Sequence, residues 1–376
     1  MIYLDHHAAT PVCESARQAM AQASAAAWAN PSSVHRAGRA SKALVERARG
    51  AVAQSIGAQA ADVVFTSGGT EACNLALLGL LGSRVADGEV VASDVEHPAI
   101  EQALQSLVAR GMRLRRLGVR AGRAPSEGEL GALLNEHTRL VVTQWANHET
   151  GNVLPVEAYA RMCATRGVPL AVDASQAYGK LPIDVGSLGV SALVLTSSKI
   201  GGPTGAAALW LERCRELTPL LQGGAQERGR RPGTPDVLAL VGFGAAAQEL
   251  PARLGAMSEL AGLRDRLEQA AQALGGLVNG AQGPRVSSAT NLSFRGWRGE
   301  ILVAALDLEG LCASSGAACS SGLGAPSPVL TAMYPEETWR AESALRLSLG
   351  PGTSAHDIER AIAILGRVLA RSPART

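Results

Sequence analysis

Pro169-Leu170-Ala171-Val172-Asp173-Ala174-Ser175-Gln176 and, further on, Ala192-Leu193-Val194-Leu195-Thr196-Ser197-Ser198-Lys199 decide how this chain folds. Each opens as a short apolar run rich in Val and Leu and closes on polar side chains. Neither run alternates apolar with polar, so both read as strands buried on two faces. Working outward, similar runs occur at 62–66, 89–93, 140–143 and 206–211. A helical pattern lies between two of them, with Ile100, Leu104, Leu107 and Val108 on one face of 100–109. Continuous apolar strands separated by helices predict an α/β fold whose mostly parallel sheet is covered on both sides.

The pattern changes after residue 211. Residues 222–235 form a Gly/Arg loop with no hydrophobic period. Leu260, Leu263, Leu267, Ala270 and Leu274 then fall near helical spacing. A strand at 290–294, a helix at 300–308, a Ser/Gly loop at 314–324, a strand at 345–349 and a helix at 355–369 follow. That order predicts a smaller α+β domain from about residue 258 onward. The length of 376 residues suits two domains of roughly 100–200 residues each.

Composition excludes several classes. Apolar residues make up 47% and charged residues 18%, with a net charge of +2, so the chain is neither disordered nor a charged tail protein. The near-neutral balance argues against direct nucleic-acid binding. No apolar run approaches the roughly 18–20 residues of a membrane span. The segment Met1-Ile2-Tyr3-Leu4-Asp5-His6-His7 lacks the basic start and apolar centre of a secretory signal, so a cytoplasmic protein is expected. Cys13, Cys73, Cys163, Cys214, Cys312 and Cys319 are scattered without paired spacing, which predicts free thiols and no metal site. Of the 35 basic residues only Lys42, Lys180 and Lys199 are lysines, so any chemistry needing an amine has three candidates.

In an open α/β sheet, ligands gather at the carboxyl ends of strands. Three such ends stand out. Ser67-Gly68-Gly69-Thr70-Glu71 follows one strand and opens a helix, where crowded amides and the positive helix end suit a phosphate. The same turn also reads as an ordinary helix start capped by Ser67 or Thr70. Asp173 closes a very apolar strand, with Gln176 just beyond; it also reads as a helix cap. Lys199 sits on an irregular turn before Gly201-Gly202-Pro203, whereas Lys42 lies in a charged helical stretch that suits a solvated face. Lys180, in a Gly-Lys-Leu-Pro turn, fits either role. An anion cradle, a carboxylate and an amine at neighbouring strand ends jointly match pyridoxal 5'-phosphate, whose phosphate, ring nitrogen and aldehyde need those three groups. Cys319, in Ser314-Ser315-Gly316-Ala317-Ala318-Cys319-Ser320-Ser321-Gly322, reads as an accessible thiol, unlike the other five cysteines, which lie in helical or apolar contexts.

With those residues in view, the chain resembles the cysteine desulfurases of the class V aminotransferase group, in the iron–sulfur-cluster and nitrogen-fixation branch. The resemblance runs end to end. It is carried by Tyr3 to Pro11, Asn30-Pro31-Ser32-Ser33, Thr66 to Glu71, Glu96-His97-Pro98, Trp145 to Gly151, Asp173-Ala174-Ser175-Gln176, Gln226-Glu227-Arg228-Gly229, Gly233-Thr234 and the Cys319 loop. It implies the aspartate-aminotransferase-like fold of pyridoxal-phosphate-dependent transferases. A large domain (13–257) would hold a seven-stranded sheet, and residues 1–12 and 258–376 would form a small α+β domain carrying the cysteine loop. It implies a homodimer that takes L-cysteine and hands sulfur to an acceptor protein, an iron–sulfur scaffold or a thiolation enzyme.

The roles it implies are residue by residue. Lys199 would bind the cofactor as a Schiff base and shuttle protons at the substrate Cα. Asp173 would pair with the ring nitrogen, and Gln176 and His148 would face the phenolic oxygen. His97 would stack on the ring and move protons. Gly69, Thr70 and Thr196 would take the phosphate, with Thr234 reaching it from the partner subunit. Arg346 and Asn30 would hold the substrate carboxylate, and Cys319 would accept the sulfur.

Four positions depart from the family pattern. Ser198 stands where a His usually precedes the lysine, Thr196 replaces a Ser three residues before it and keeps the hydroxyl, His148 replaces the second Asn of an Asn-Asn-Glu run, and Pro328 stands where a His follows the loop. They leave open a cofactor-binding scaffold of low activity; a selenocysteine lyase or related lyase on the same fold is the other alternative, from which the Cys319 thiol discriminates. Because arginine cannot form a Schiff base, Lys199→Arg is expected to abolish the visible absorption of the cofactor-loaded protein. Lys42→Arg and Lys180→Arg are expected to keep it.

Overall fold

The computed structural model describes residues 1–82, 88–316 and 325–371. Cys319 and most of its Ser/Gly loop lie outside the described residues. Among the described residues, twelve strands run in chain order: β1 (Ile2–Tyr3), β2 (Val63–Thr66), β3 (Glu89–Ser93), β4 (Arg113–Leu117), β5 (Thr138–Gln144), β6 (Leu170–Asp173), β7 (Ala192–Thr196), β8 (Ala207–Leu211), β9 (Leu277–Val278), β10 (Ala289–Ser293), β11 (Leu311–Cys312) and β12 (Ala344–Ser348).

Seven of them form one sheet in the order β2-β8-β7-β6-β5-β3-β4. Every neighbouring pair is parallel except those of β8, which runs antiparallel to β7 and β2. The register sets the site. Gln144 pairs with Asp173 and Asp173 with Val194, while Thr196 and Thr66 both pair with Ala207. The carboxyl ends of β2, β5, β6 and β7 therefore meet at one edge of the sheet, and the segment after each end carries its polar groups there.

Alternation along buried strands feeds two cores. Phe65, Val172, Leu193 and Leu195 face one apolar cluster, while Val64, Ala171, Ala192 and Val194 face another on the opposite side. The helix Gly69–Leu81 covers the second face and buries Leu75, Leu77 and Leu81. On the first face, helices Glu14–Ala26 and Arg36–Gln54 lie against Val237–Gln248.

A third cluster gathers around the antiparallel sheet β12-β10-β9. The helix Ala355–Leu369 contributes Ile358, Ala361, Leu365 and Val368, one apolar stripe at helical spacing. Ile2 and Leu4 of the N-terminal segment belong to this cluster, and β1 pairs in parallel with β11.

Two expectations need correction. β4, Arg113-Leu114-Arg115-Arg116-Leu117, has no apolar run and is absent from the sequence reading. It is an edge strand paired only with β3, so its arginines reach solvent and ion-pair with Glu89 and Glu101. Cys214, expected in an apolar or helical context, is instead exposed on a turn after β8, with φ of 65°. Among the described residues, no helix is long and apolar enough to cross a membrane.

The Gly/Arg loop is anchored by a buried ion pair. Arg49 of helix Arg36–Gln54 donates to both carboxylate oxygens of Glu227 at 2.6 and 2.7 Å, and the Phe65 amide donates to the same carboxylate at 2.9 Å. Glu227 and Arg228 adopt left-handed φ of 48° and 58° to make this reach. Removing one partner of a buried pair strands the other charge, which costs about 3 kcal/mol or more. Glu227→Ala is accordingly expected to lower unfolding stability by about that much, read from a urea or thermal unfolding curve.

Candidate active site

The carboxyl-end edge of the sheet opens into a cavity of about 240 Å³. Lys199, Asp173, Gln176, Thr196, Gly69 and Thr70 line it, as do His97, His148 and Arg346. The structure thus brings together nine of the twelve residues singled out above. Asn30 and Thr234 are exposed and lie outside the cavity lining; Cys319 is outside the described residues.

One end of the cavity is built for an anion. The helix Gly69–Leu81 starts without a side-chain cap, so its first amides remain available. A Cβ added at Gly69 would stand 2.8 Å from Thr196 Oγ1, so only glycine lets the helix end approach the end of β7 this closely. Thr196 Oγ1 and Ser175 Oγ lie 2.8 Å apart, adding two hydroxyls, and Ser198 lines the same cavity in place of the family's imidazole. Glu71 in the first turn is drawn off by Arg231 at 2.7 Å and by the Ser67 amide, which keeps its charge away from the cradle.

Asp173 closes β6, buried, and accepts the Ser175 amide at 2.9 Å. The alternative reading of Asp173 as a local cap is therefore also met. Cys73 Sγ lies 3.8 Å from its other oxygen; burial and that carboxylate push the thiol well above its usual range. Lys199 follows β7 on a single tight turn, Ser197–Lys199. Its Nζ donates to the His7 carbonyl at 2.9 Å and the Ala8 carbonyl at 2.5 Å. Gln176 donates to the same His7 carbonyl at 2.8 Å.

The histidines here are neutral. Burial is the main cause that lowers the pKa of His97, and it holds His148 and His7 well below the usual range. The His97 Nδ1 accepts the Ala99 amide at 3.1 Å, so the proton sits on Nε2. His97 is therefore both the cap of helix Pro98–Ala109 and a cavity residue. Its ring meets that of His148 edge to face, with centroids 5.0 Å apart. Arg346 donates to Asp5 at 2.7 Å and to the His148 carbonyl at 2.9 Å, while its Nε is buried without a partner. It is an ion-pair member, but an enclosed one that lines the cavity.

Several contributors carried no role in the sequence reading. Lys180, left open between two roles by the sequence, donates to Gln176 four residues earlier at 3.1 Å. Glu96 accepts from Ser93 and from the Gln144 amide, and burial raises its carboxyl to about 8. Glu149 accepts from Ser327 at 2.5 Å, and burial raises it to about 7. Ser327 also caps the helix Pro328–Met333, so Pro328 occupies a first-turn position where a missing N–H costs nothing.

The profile of the family described as Aminotransferase class-V matches residues 2–361. The chain is 39% identical to an IscS-like cysteine desulfurase of Mycobacterium tuberculosis, over 99% of this chain and 97% of that one. Among solved structures, a NifS-like protein superposes with a TM-score of 0.91 at 26% identity, over 98% of this chain and 99% of that chain. A structure described as SspA in complex with cysteine superposes at 0.83 and 28% identity, over 94% of this chain and 100% of the other. The chain belongs to the class V aminotransferases, a family generally dependent on pyridoxal phosphate. Within it, the chain stands with the cysteine desulfurases.

A carboxyl with a raised native pKa binds its proton more tightly folded than unfolded. The stability it contributes is present below the unfolded value and lost as pH rises through the folded one. For Glu149 that window runs from 4.5 to about 7. Glu149→Gln is therefore expected to gain thermal stability relative to the parent across this window and to hold the gain above it. Melting temperatures of both proteins, recorded against pH, check the trend.

Proposed function

We propose that this chain is a pyridoxal-phosphate-dependent cysteine desulfurase. L-cysteine and the Cys319 thiol become L-alanine and a Cys319 persulfide, so one sulfur atom moves and the atoms balance. The persulfide then serves an acceptor protein, an iron–sulfur scaffold or a thiolation enzyme. The observation that carries the reading is one cavity that holds an uncapped helix end, a buried carboxylate and a lysine amine at adjoining strand ends.

When bound, the cofactor supplies an electron sink conjugated to the Cα of the amino acid. The remaining work belongs to the chain. The amides of Gly69 and Thr70, with the Thr196 hydroxyl, would hold the phosphate. Asp173 would keep a proton on the ring nitrogen, and its burial would strengthen that charge-assisted contact. Gln176 and His148 would take the phenolic oxygen. Lys199 supplies the amine and moves the proton at the substrate Cα. His97, neutral with its proton on Nε2, moves protons within the cavity. Arg346, with its unpartnered Nε, binds the substrate carboxylate, helped by Asn30. Thr234 is exposed on its own chain, which suits a residue that completes the phosphate site of the second subunit in a homodimer. In this reading residues 13–257 form the cofactor-binding domain, and residues 1–12 and 258–376 the domain bearing Cys319.

Purified protein given L-cysteine and a reductant is expected to release alanine and sulfide in equal amounts. Cys319→Ser is expected to keep the cofactor's visible absorption and lose sulfide release. Full-rate sulfide release by that variant overturns the persulfide step. Absence of alanine from the parent protein supports the scaffold reading instead.

A further inference from the structure

The third lysine has no assigned role, yet its ammonium lies beside the site. Lys180 follows Gly179, whose φ of 78° turns the chain back toward Gln176. Its Nζ donates to Gln176 Oε1 at 3.1 Å. Burial, then the charges of Lys199, Arg253 and Arg346, lowers its pKa to about 7.

The Gln176 amide is thereby held at both ends. An ammonium has no acceptor and a carbonyl has no donor. While Lys180 carries its proton, it and the His7 carbonyl on the other side at 2.8 Å admit one orientation of the amide only. Flipping it would set NH₂ against the ammonium and C=O against C=O. In the permitted orientation one Nε2 hydrogen goes to His7, and the second is left for the cavity that Gln176 lines. The His7 carbonyl also accepts from Lys199 at 2.9 Å, so the amide and the Lys199 amine share one anchor.

We propose that Lys180 is a positioning residue: it fixes the Gln176 amide so that an N–H, and not a carbonyl, faces the phenolic oxygen of pyridoxal phosphate. This rests on the reading of the cavity as a pyridoxal-phosphate site.

The test is a double-mutant cycle on cofactor affinity, read by titrating pyridoxal phosphate into cofactor-stripped full-length protein and following visible absorption. Lys180→Met and Gln176→Ala are each expected to weaken binding about tenfold, the effect of one hydrogen bond. The double variant is expected to be no weaker than Gln176→Ala alone. Lys180→Arg, which keeps a donor, is expected to bind within about threefold of the parent. It keeps the question answerable if the methionine variant folds poorly, which circular dichroism reports. Losses that add in the double variant, or a Lys180→Arg protein as weak as Lys180→Met, overturn the proposal while leaving the cofactor reading intact. A parent protein that takes up no pyridoxal phosphate overturns both.

Discussion

The N-terminal segment, residues 2–13, joins the parts of this molecule. It is clamped to the smaller sheet on one side: the Leu4 amide donates to the Cys312 carbonyl at 3.0 Å, the Ser348 amide to the Leu4 carbonyl at 2.8 Å, and Asp5 pairs with Arg346 at 2.7 Å. It is clamped to the lysine turn on the other: the Thr10 amide donates to the Ser198 carbonyl at 2.9 Å and the Cys13 amide to Gly201 at 2.8 Å. Between the two clamps the His7 carbonyl receives Gln176 and Lys199. A chain of paired backbone groups therefore sets the distance between Arg346, on β12, and Lys199, after β7. Each group in that chain is partnered, and an unpaired buried amide or carbonyl would cost more than the bond it lost.

The electrostatics of the cavity follow from the same enclosure. It gathers basic side chains, Lys199 and Arg346, with Lys180 beside it. Burial keeps three histidines neutral, which limits the positive charge to groups that stay charged. Two carboxyls, Glu96 and Glu149, lie under the walls with raised pKa values for the same reason. Glu96, Glu149 and Lys180 are thus held near neutrality around the cavity, while the histidines that line it stay uncharged.

Much of this was legible in the sequence where one rule governed each residue. Strands β6 and β7 are buried on both faces, so they read as apolar runs, and the polar residues at their ends mark the site. Asp173, Lys199 and the Gly69 turn were found that way. β4 was not legible, because an edge strand with solvent-facing arginines has neither the apolar run nor strict alternation. The role of Lys180 was not legible either, since it depends on a tertiary fact, the His7 carbonyl on the far side of Gln176. The same holds for the ion pair of Arg49 with Glu227, whose partners are far apart in the chain. The exposure of Cys214 escaped because a left-handed turn after β8 is set by local backbone geometry and not by its neighbours' hydropathy.

The three lysines stand in three different environments. Lys199 is in the cavity, Lys180 is half-buried against Gln176, and Lys42 is exposed on the helix Arg36–Gln54. Aldehydes react with any accessible uncharged amine, including pyridoxal phosphate itself. On most proteins a surface coat of lysines competes for such reagents. Among the described residues Lys42 is the one exposed lysine. Coupling through lysine side chains would therefore attach a probe or a support at the Lys42 helix, on a face set by the fold and not scattered over the molecule.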